Sequence, residues 1–172
     1  MRTATQDEIK FINEHRAKSQ LNAEDVYIGA FLLSNTKYID KYAMFMSPKA
    51  VKQMAMKAGD ENSNGLNFKV MHDRNKVVTL GKSFSGVFDG KNNVAYGKFY
   101  FPKGHSENGY TVEDLKNGID TGIYAETSYG MPWPREENSI KCSLCGGNPL
   151  WVRILFSRGE SQWCGHMPGD MY

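Results

Sequence analysis

Apolar and polar positions along this chain change their period from helical to strand-like more than once. The stretch TQDEIKFINEHRAKSQ has helical spacing, and Thr5 followed by Glu8 matches a capping box. The apolar run DVYIGAFLLSN is typical of a buried strand, and YAMFMS indicates a second, short extended piece. A second helix is predicted to begin at Pro48, with Ser47 as its cap, and to end at Gly59.

The middle of the chain has the two-residue period of β-strands, interrupted by glycine-containing turns. LNFKVMHD alternates apolar and polar residues, and the pattern after it predicts three further strands: Val77–Ser85, Gly86–Phe88 and Val94–Phe101. A short helix capped by Thr111 then ends at Gly118 or Gly122, and IYAETSYGM predicts a central strand. The predicted fold class is therefore α+β, a mostly antiparallel β-barrel or sheet with a few flanking helices.

Composition narrows the class of protein. A chain of 172 residues suggests one domain with a small appendage, here 1–135 followed by 136–172. The net charge of +2 is too small to indicate a nucleic-acid partner by itself. There is no long apolar run for a membrane span, and the N-terminal stretch lacks the apolar core of a signal peptide. We therefore expect a reducing cytosolic setting, in which an odd number of cysteines favours metal binding or redox chemistry over disulfides.

All 3 cysteines lie near the C-terminal end of the sequence, in two short pairs of metal-binding residue types. The first pair is Cys142 and Cys145, and the second is Cys164 and His166. A Cys-x-x-Cys turn followed by glycines lets two thiolates reach one ion, and four N/S ligands close a tetrahedron without an open position for water. The pattern predicts a structural Zn²⁺ in a small zinc-ribbon-like element that stabilises residues 136–172.

The cysteine cluster has three alternative interpretations. The cysteines could be unrelated reduced residues, but single cysteines seldom fall into two such pairs. A redox Cys-x-x-Cys is disfavoured because no helix begins after it to depress the thiol pKa. A nucleic-acid-binding ribbon could stack bases on Trp151 and Trp163, but its cations are only Lys141, Arg153 and Arg158.

Two residues outside the cysteine cluster are candidates for chemistry. His72 ends a predicted strand where a turn begins, a position from which an imidazole can point into a cleft. Ser128 lies in an apolar strand, and Gly130 after it would let backbone N–H groups turn towards a developing oxyanion. By contrast, His15 is expected on the exposed side of the first helix and His105 in a solvated loop. Either candidate alone is weak, because most strand serines and half-buried histidines have no catalytic role.

The two segments in this order resemble the tailed-phage prohead (capsid maturation) proteases, which share a fold with the herpesvirus assembly proteases. The resemblance covers roughly residues 26 to 131. It is carried by short motifs in a fixed order: Ser47-Pro48 through Ala58, His72-Asp73, Leu80-Gly81-Lys82, Gly86-Val87-Phe88 and Ser128-Tyr129-Gly130-Met131. The zinc-ribbon-like element at the C-terminal end is not typical of this family.

The resemblance implies a serine endopeptidase that cleaves scaffold or coat proteins during capsid assembly, as a homo-oligomer in the host cytoplasm or inside the procapsid. It implies that Ser128 is the nucleophile and His72 its general base. In the family the third residue is a carboxylate or histidine from a later strand. After Ser128 this chain has acidic residues only in or near the tail, and one of these carboxylates is an alternative third residue: Glu136, Glu137, Glu160 or Asp170. Glu126 is the closest substitute, since it shares a strand face with Ser128. A dyad without a third member remains open.

A second function class is an inactive assembly module with the same fold. Such a module would bind protein through its zinc-stabilised tail and would not label with serine-reactive probes. No membrane partner is expected, and nucleic acid is disfavoured by the small number of cations in the tail.

Overall fold

A computed structural model describes residues 1–37, 45–70, 78–124, 141–142, 145, 147–149 and 163–164. The chain forms two compact units. The first comprises Met1–Thr36 with Met46–Gly130, and the second comprises Lys37–Phe45 with Met131–Tyr172. The division at residue 135 that the sequence indicated stays a prediction, because the residues on both sides of it lie outside the described ranges.

The first unit is built on a five-stranded antiparallel sheet in the order β1-β2-β5-β4-β3. Its strands are β1 (Arg2–Thr3), β2 (Val26–Asn35), β3 (Asn67–Val70), β4 (Val78–Asp89) and β5 (Val94–Pro102). Three helices accompany it: α1 (Gln6–His15), α2 (Pro48–Gly59) and α3 (Val112–Asp120). The predicted α+β class is confirmed, and within the described residues the sheet is open, with β1 and β3 at its edges.

The helix starts follow from local chemistry. Thr5 accepts from the backbone N–H of Glu8, and the Glu8 carboxylate accepts from the N–H of Thr5, which forms the predicted capping box. Ser47 caps α2 and Pro48 occupies its first turn. Thr111 caps α3. Each cap satisfies backbone donors that a helix start leaves without an intrahelical partner, so the three predicted starts are confirmed.

The apolar stripes of the three helices bury three clusters against the sheet. Helix α1 contributes Ile9 and Ile12 to a cluster with Val26, Ile28, Phe84 and Tyr100. Helix α2 contributes Val51 and Ala55, which pack with Met46 and Ala95. Helix α3 contributes Val112 and Leu115 to the most aromatic cluster, whose other buried members are Val78, Leu80, Phe99 and Phe101. Burial of these side chains is the main source of the unit's stability.

The prediction of separate strands at Val77–Ser85 and Gly86–Phe88 was wrong. One strand, β4, runs through Gly86, and its register shifts between Ser83 and Ser85 relative to β5. Gly86 is needed for another reason, since a Cβ there would overlap the backbone carbonyl of Ala55 in α2. The glycine therefore permits close packing of a helix on the sheet, rather than a bend between strands.

Arg16 forms a buried hub where α1 ends. Its side chain is only 8% exposed. The guanidinium donates to the carbonyl oxygens of Ser83 at 3.0 Å, Ser63 at 3.0 Å and Asp60 at 2.7 Å, and it lies over the ring of Phe11. Burial lowers the pKa of Arg16 from its ordinary value. Tyr100 and the carboxylate of Asp60 raise it and so partly offset the effect of burial. The planar fork of donors thus joins α1, the segment after α2 and β4.

Glu8 is the best-defined ion-pair centre in the described residues. Arg2 donates to its two carboxylate oxygens at 2.7 and 2.6 Å, and Lys98 donates at 3.0 Å. The hydrogen bonds from Arg2, with those from Thr5 and Lys98, hold the pKa of Glu8 at about 2, below the ordinary 4.5.

Glu8 is expected to make the stability of the first unit depend on acid pH. Because its folded pKa is depressed, its contribution is complete above about pH 5 and is lost as the pH falls towards 2. Because water screens the exposed cations, we expect Glu8 to contribute about 1–2 kcal/mol to the free energy of unfolding. The measurement is the difference in unfolding free energy between wild type and Glu8→Gln in urea at pH 7, 4 and 3. A difference that stays constant across these pH values would contradict the assignment.

No helix in the described part of the chain is long and apolar enough to cross a membrane.

Candidate functional site

His72, Glu126 and Ser128 lie outside the described residues, but the elements that lead to them are described. Strand β3 ends at Val70 and β4 begins at Val78, and these two residues are partners in the antiparallel register. The connection 71–77 therefore leaves and re-enters the sheet at adjacent positions. His72 is the second residue of that connection.

The chain that leads to Ser128 leaves helix α3 by a defined turn. The N–H of Thr121 donates to Asn117 O at 3.0 Å, and Gly122 has a φ of 77°. The N–H of Tyr124 then donates to Gly118 O at 2.9 Å, and its ring lies against Gly118, where a Cβ would overlap it. The chain thus folds back on α3, and Tyr124 is the last described residue before Ser128.

The described elements that precede His72 and Ser128 pack in the same hydrophobic cluster. Val70 and Val78, which flank the His72 connection, pack in the cluster that contains Val112 and Leu115 of α3. Two residues from Val70 to His72 span at most about 7 Å, and four residues from Tyr124 to Ser128 span at most about 14 Å. These tethers are short compared with a protein domain of this size.

The segment between β5 and α3 contains contacts that the sequence analysis missed. Strands β6 (Ser106–Glu107) and β7 (Tyr110–Thr111) form a hairpin. Its loop residues Asn108 and Gly109 have φ values of 52° and 82°, as a type I′ turn requires. The Asn-Gly dipeptide is the sequence signal that could have revealed this hairpin. His105 is exposed, as expected, but its Nε2 lies 3.1 Å from Thr79 O in β4.

The second unit contains the candidate metal centre. Cys142 is buried and Cys145 is exposed. The N–H of Cys142 donates to Gly147 O at 2.7 Å, which closes the backbone around the Cys-x-x-Cys turn. A shared metal ion requires two cysteines of such a turn to lie close together, and this hydrogen bond limits how far the chain between Cys142 and Gly147 can extend.

The third predicted ligand enters the same neighbourhood through the backbone. Strands β8 (Asn148–Pro149) and β9 (Trp163–Cys164) are parallel, and Pro149 is the register partner of Cys164. Residue 164 therefore lies beside the strand that directly follows the Cys142 turn. His166 lies outside the described residues. Within the described ranges, no group of three or more metal-ligating side chains is found, but the side chain of Cys164 is not among those described.

A cleft of about 310 Å³ lies along β2, beside β1. Most of its lining residues are apolar or glycine, and its cations are Arg2, Lys98 and the N-terminal ammonium of Met1. Arg2 and Lys98 donate to Glu8, and the Met1 ammonium donates to Asp120. The cleft therefore offers no unpaired charged group to a ligand, and we assign it no function.

No protein-family model, curated protein or solved structure matches this chain. The resemblance to the prohead proteases thus depends on the sequence motifs.

Proposed function

We propose that this protein is a serine endopeptidase of the capsid-maturation type, which cleaves extended segments of scaffold or coat protein. The observation that supports the proposal is the common cluster from which both catalytic segments depart. Val70 and Val78 on one side and Val112 and Leu115 on the other pack together. This arrangement allows an imidazole at 72 and a hydroxyl at 128 to meet although 56 positions separate them in the sequence.

In the proposed mechanism, the Ser128 hydroxyl attacks the scissile carbonyl carbon while the His72 imidazole accepts its proton. Backbone N–H groups near Gly130 stabilise the oxyanion of the tetrahedral intermediate. The imidazolium then gives the proton to the leaving amine, and water hydrolyses the acyl-enzyme with His72 again as base. Glu126 orients the imidazole in this scheme, and a Ser128–His72 dyad is the alternative.

An open edge of the sheet supports the substrate class that we propose. Cleavage of a peptide bond requires an extended backbone at the site, and an open strand edge supplies hydrogen bonds to such a segment. Strand β3 pairs only with β4 in the described residues, and it ends shortly before His72. An extended scaffold or coat segment is therefore the substrate that we propose.

The experiment that tests this proposal is labelling with a fluorophosphonate probe. Wild-type protein should be labelled and Ser128→Ala should not. Equal behaviour of the two proteins would leave the alternative, a non-enzymatic assembly module with a metal-stabilised tail.

We further propose that Cys142, Cys145, Cys164 and His166 hold a structural Zn²⁺. The closed turn at Cys142 and the pairing of β8 with β9 support this ligand set. The set has four N/S donors and no open position, which suits a structural rather than a catalytic ion. Binding the ion would stabilise the second unit, because ligands of a structural zinc become ordered only when the metal is bound.

Cys142→Ser is expected to remove the zinc. Wild-type protein should contain about one zinc per chain, and the variant well under half of that, because three ligands rarely hold a structural zinc tightly. The measurement is metal content by mass spectrometry after dialysis, together with the thiolate-to-cobalt absorption of the Co²⁺-substituted protein. Ser143→Ala, a neighbour in the same turn, is the matched control and should retain the metal. Wild-type protein without zinc and without cobalt–thiolate absorption would contradict the ligand set.

A further inference from the structure

Thr79, the second residue of β4, has both backbone hydrogen-bonding groups held by side chains. Its N–H donates to Glu107 Oε2 at 2.7 Å. Its carbonyl oxygen lies 3.1 Å from His105 Nε2, which must be the donor because a carbonyl oxygen only accepts. We call this pair of contacts the Thr79 clamp.

The clamp takes the place of strand pairing. On one side Thr79 is the register partner of Lys69 in β3. On the other side, the pairing of β4 with β5 begins only at Lys82 and Tyr100. The start of β4 thus has no β5 residue opposite it, and the side chains of His105 and Glu107 supply the donor and acceptor that β5 would have provided.

The clamp is attached to α3 as well as to β4. The N–H of Val112, the first residue of α3, donates to His105 O at 3.1 Å. Glu113 in the first turn of α3 accepts from the N–H of Gly104 at 2.9 Å. The type I′ turn sets the register of the β6–β7 hairpin. One short segment therefore links the start of β4, which follows the connection carrying His72, to the helix that precedes Ser128.

We propose that His105 and Glu107 are positioning residues that hold the start of β4, where the connection carrying His72 returns to the sheet, against the segment that leads into α3. This inference rests on the proposed peptidase function. In the proposed mechanism, loosening Thr79 would loosen the anchor of the connection that carries the base, without removing the base or the nucleophile. Displacement of the base lowers the rate of the chemical step far more than it lowers binding.

The test compares two pairs of variants with the wild type. Glu107→Ala and His105→Ala remove the contacts, whereas Glu107→Gln retains an acceptor for the Thr79 N–H and His105→Gln retains a donor for its carbonyl. For each protein we would measure the maximal rate constant and the half-saturation concentration of fluorophosphonate labelling. The alanine variants should label on the order of ten-fold more slowly at saturation. Their half-saturation concentrations should be unchanged, and the glutamine variants should recover most of the rate.

Amide hydrogen exchange measures how strongly Glu107 protects the Thr79 amide, and it does not depend on activity. The Thr79 amide should exchange at least about ten-fold faster in Glu107→Ala than in wild type or Glu107→Gln. Asn13→Ala is the matched control for stability, because Asn13 also makes two hydrogen bonds, both to Leu21 in the loop after α1. It should leave the labelling rate unchanged.

Each outcome decides a different statement. Wild-type protein that is not labelled would overturn the peptidase proposal, and the positioning role would fall with it. Labelled alanine variants with an unchanged rate, or a Thr79 amide with unchanged exchange, would overturn the positioning role alone. A slowing that Asn13→Ala reproduces would also overturn it, because the effect would then reflect general stability.

Discussion

Replacing Ser128 with alanine is expected to abolish covalent labelling by a fluorophosphonate and to lower peptidase activity by at least about 10³-fold. The probe reacts when a serine oxygen attacks its phosphorus and fluoride leaves, so the reaction requires an activated hydroxyl. At its ordinary pKa a serine hydroxyl is a weak nucleophile, and only a base that takes its proton makes it reactive. His72→Ala should therefore slow labelling strongly as well, although Ser128 is still present.

Controls separate a catalytic serine from a folding defect. Ser85→Ala, a half-buried serine in β4, removes a hydroxyl from the same sheet and should label like the wild type. All variants should show the wild-type far-ultraviolet circular dichroism. Labelling that persists in Ser128→Ala would place the reactive serine elsewhere, and labelling that persists in His72→Ala would remove His72 as the base. Glu126→Gln then distinguishes a triad from a dyad, since a dyad predicts an unchanged rate.

Arg16→Ala is expected to lower the free energy of unfolding of the first unit by about 3–5 kcal/mol. The guanidinium donates hydrogen bonds to the carbonyl oxygens of Asp60, Ser63 and Ser83, and Arg16 is only 8% exposed. Removing it takes the Arg16 donor away from the carbonyl oxygen of buried Ser83 and breaks the contacts that join α1 to the segment after α2. For a chain of this length, the melting temperature should fall by roughly 6–20 °C.

Two further variants check the reason for this loss. Arg16→Lys keeps the positive charge but replaces a planar fork by a single ammonium group, so it should lose an intermediate amount of stability. Lys10→Ala, an exposed position on the same helix, should change the free energy of unfolding by less than about 0.5 kcal/mol. A loss below about 1 kcal/mol for Arg16→Ala would contradict a structural role for its carbonyl contacts.

The sequence did not reveal contacts that a residue makes with a distant partner. Gly86 was assigned to a break between strands, because a glycine within a β pattern often marks a bend. In the structure it lies within β4 and leaves room for the backbone of Ala55. His105 lies in an exposed loop, as its polar neighbours predict, but its contact with Thr79 depends on a residue 26 positions earlier. Neither contact has a local signature in the sequence.

The candidate sites also differ in whether they depend on neighbours in the sequence or on distant contacts. The sequence alone proposed Ser128, His72 and the four zinc ligands, because motifs of short span depend on neighbours in the chain. The turn at Cys142 is such a case, since its closing hydrogen bond reaches only to Gly147. The Thr79 clamp has no such local motif, because its side chains lie in β6 and just before it, whereas its backbone target lies in β4.

The sequence by itself determined the α+β class, the three helix starts and the antiparallel succession of strands. Capping residues and apolar periodicity act over a few positions, so their physical effect is readable locally. Only the tertiary structure decided that Arg16 joins α1 to β4, that α2 packs closely on Gly86, and that Val70 and Val78 share a cluster with α3. Those contacts depend on which surfaces the folded chain brings together. Burial stabilises a contact between suitable side chains whatever their separation along the chain, so the sequence does not single out the partner.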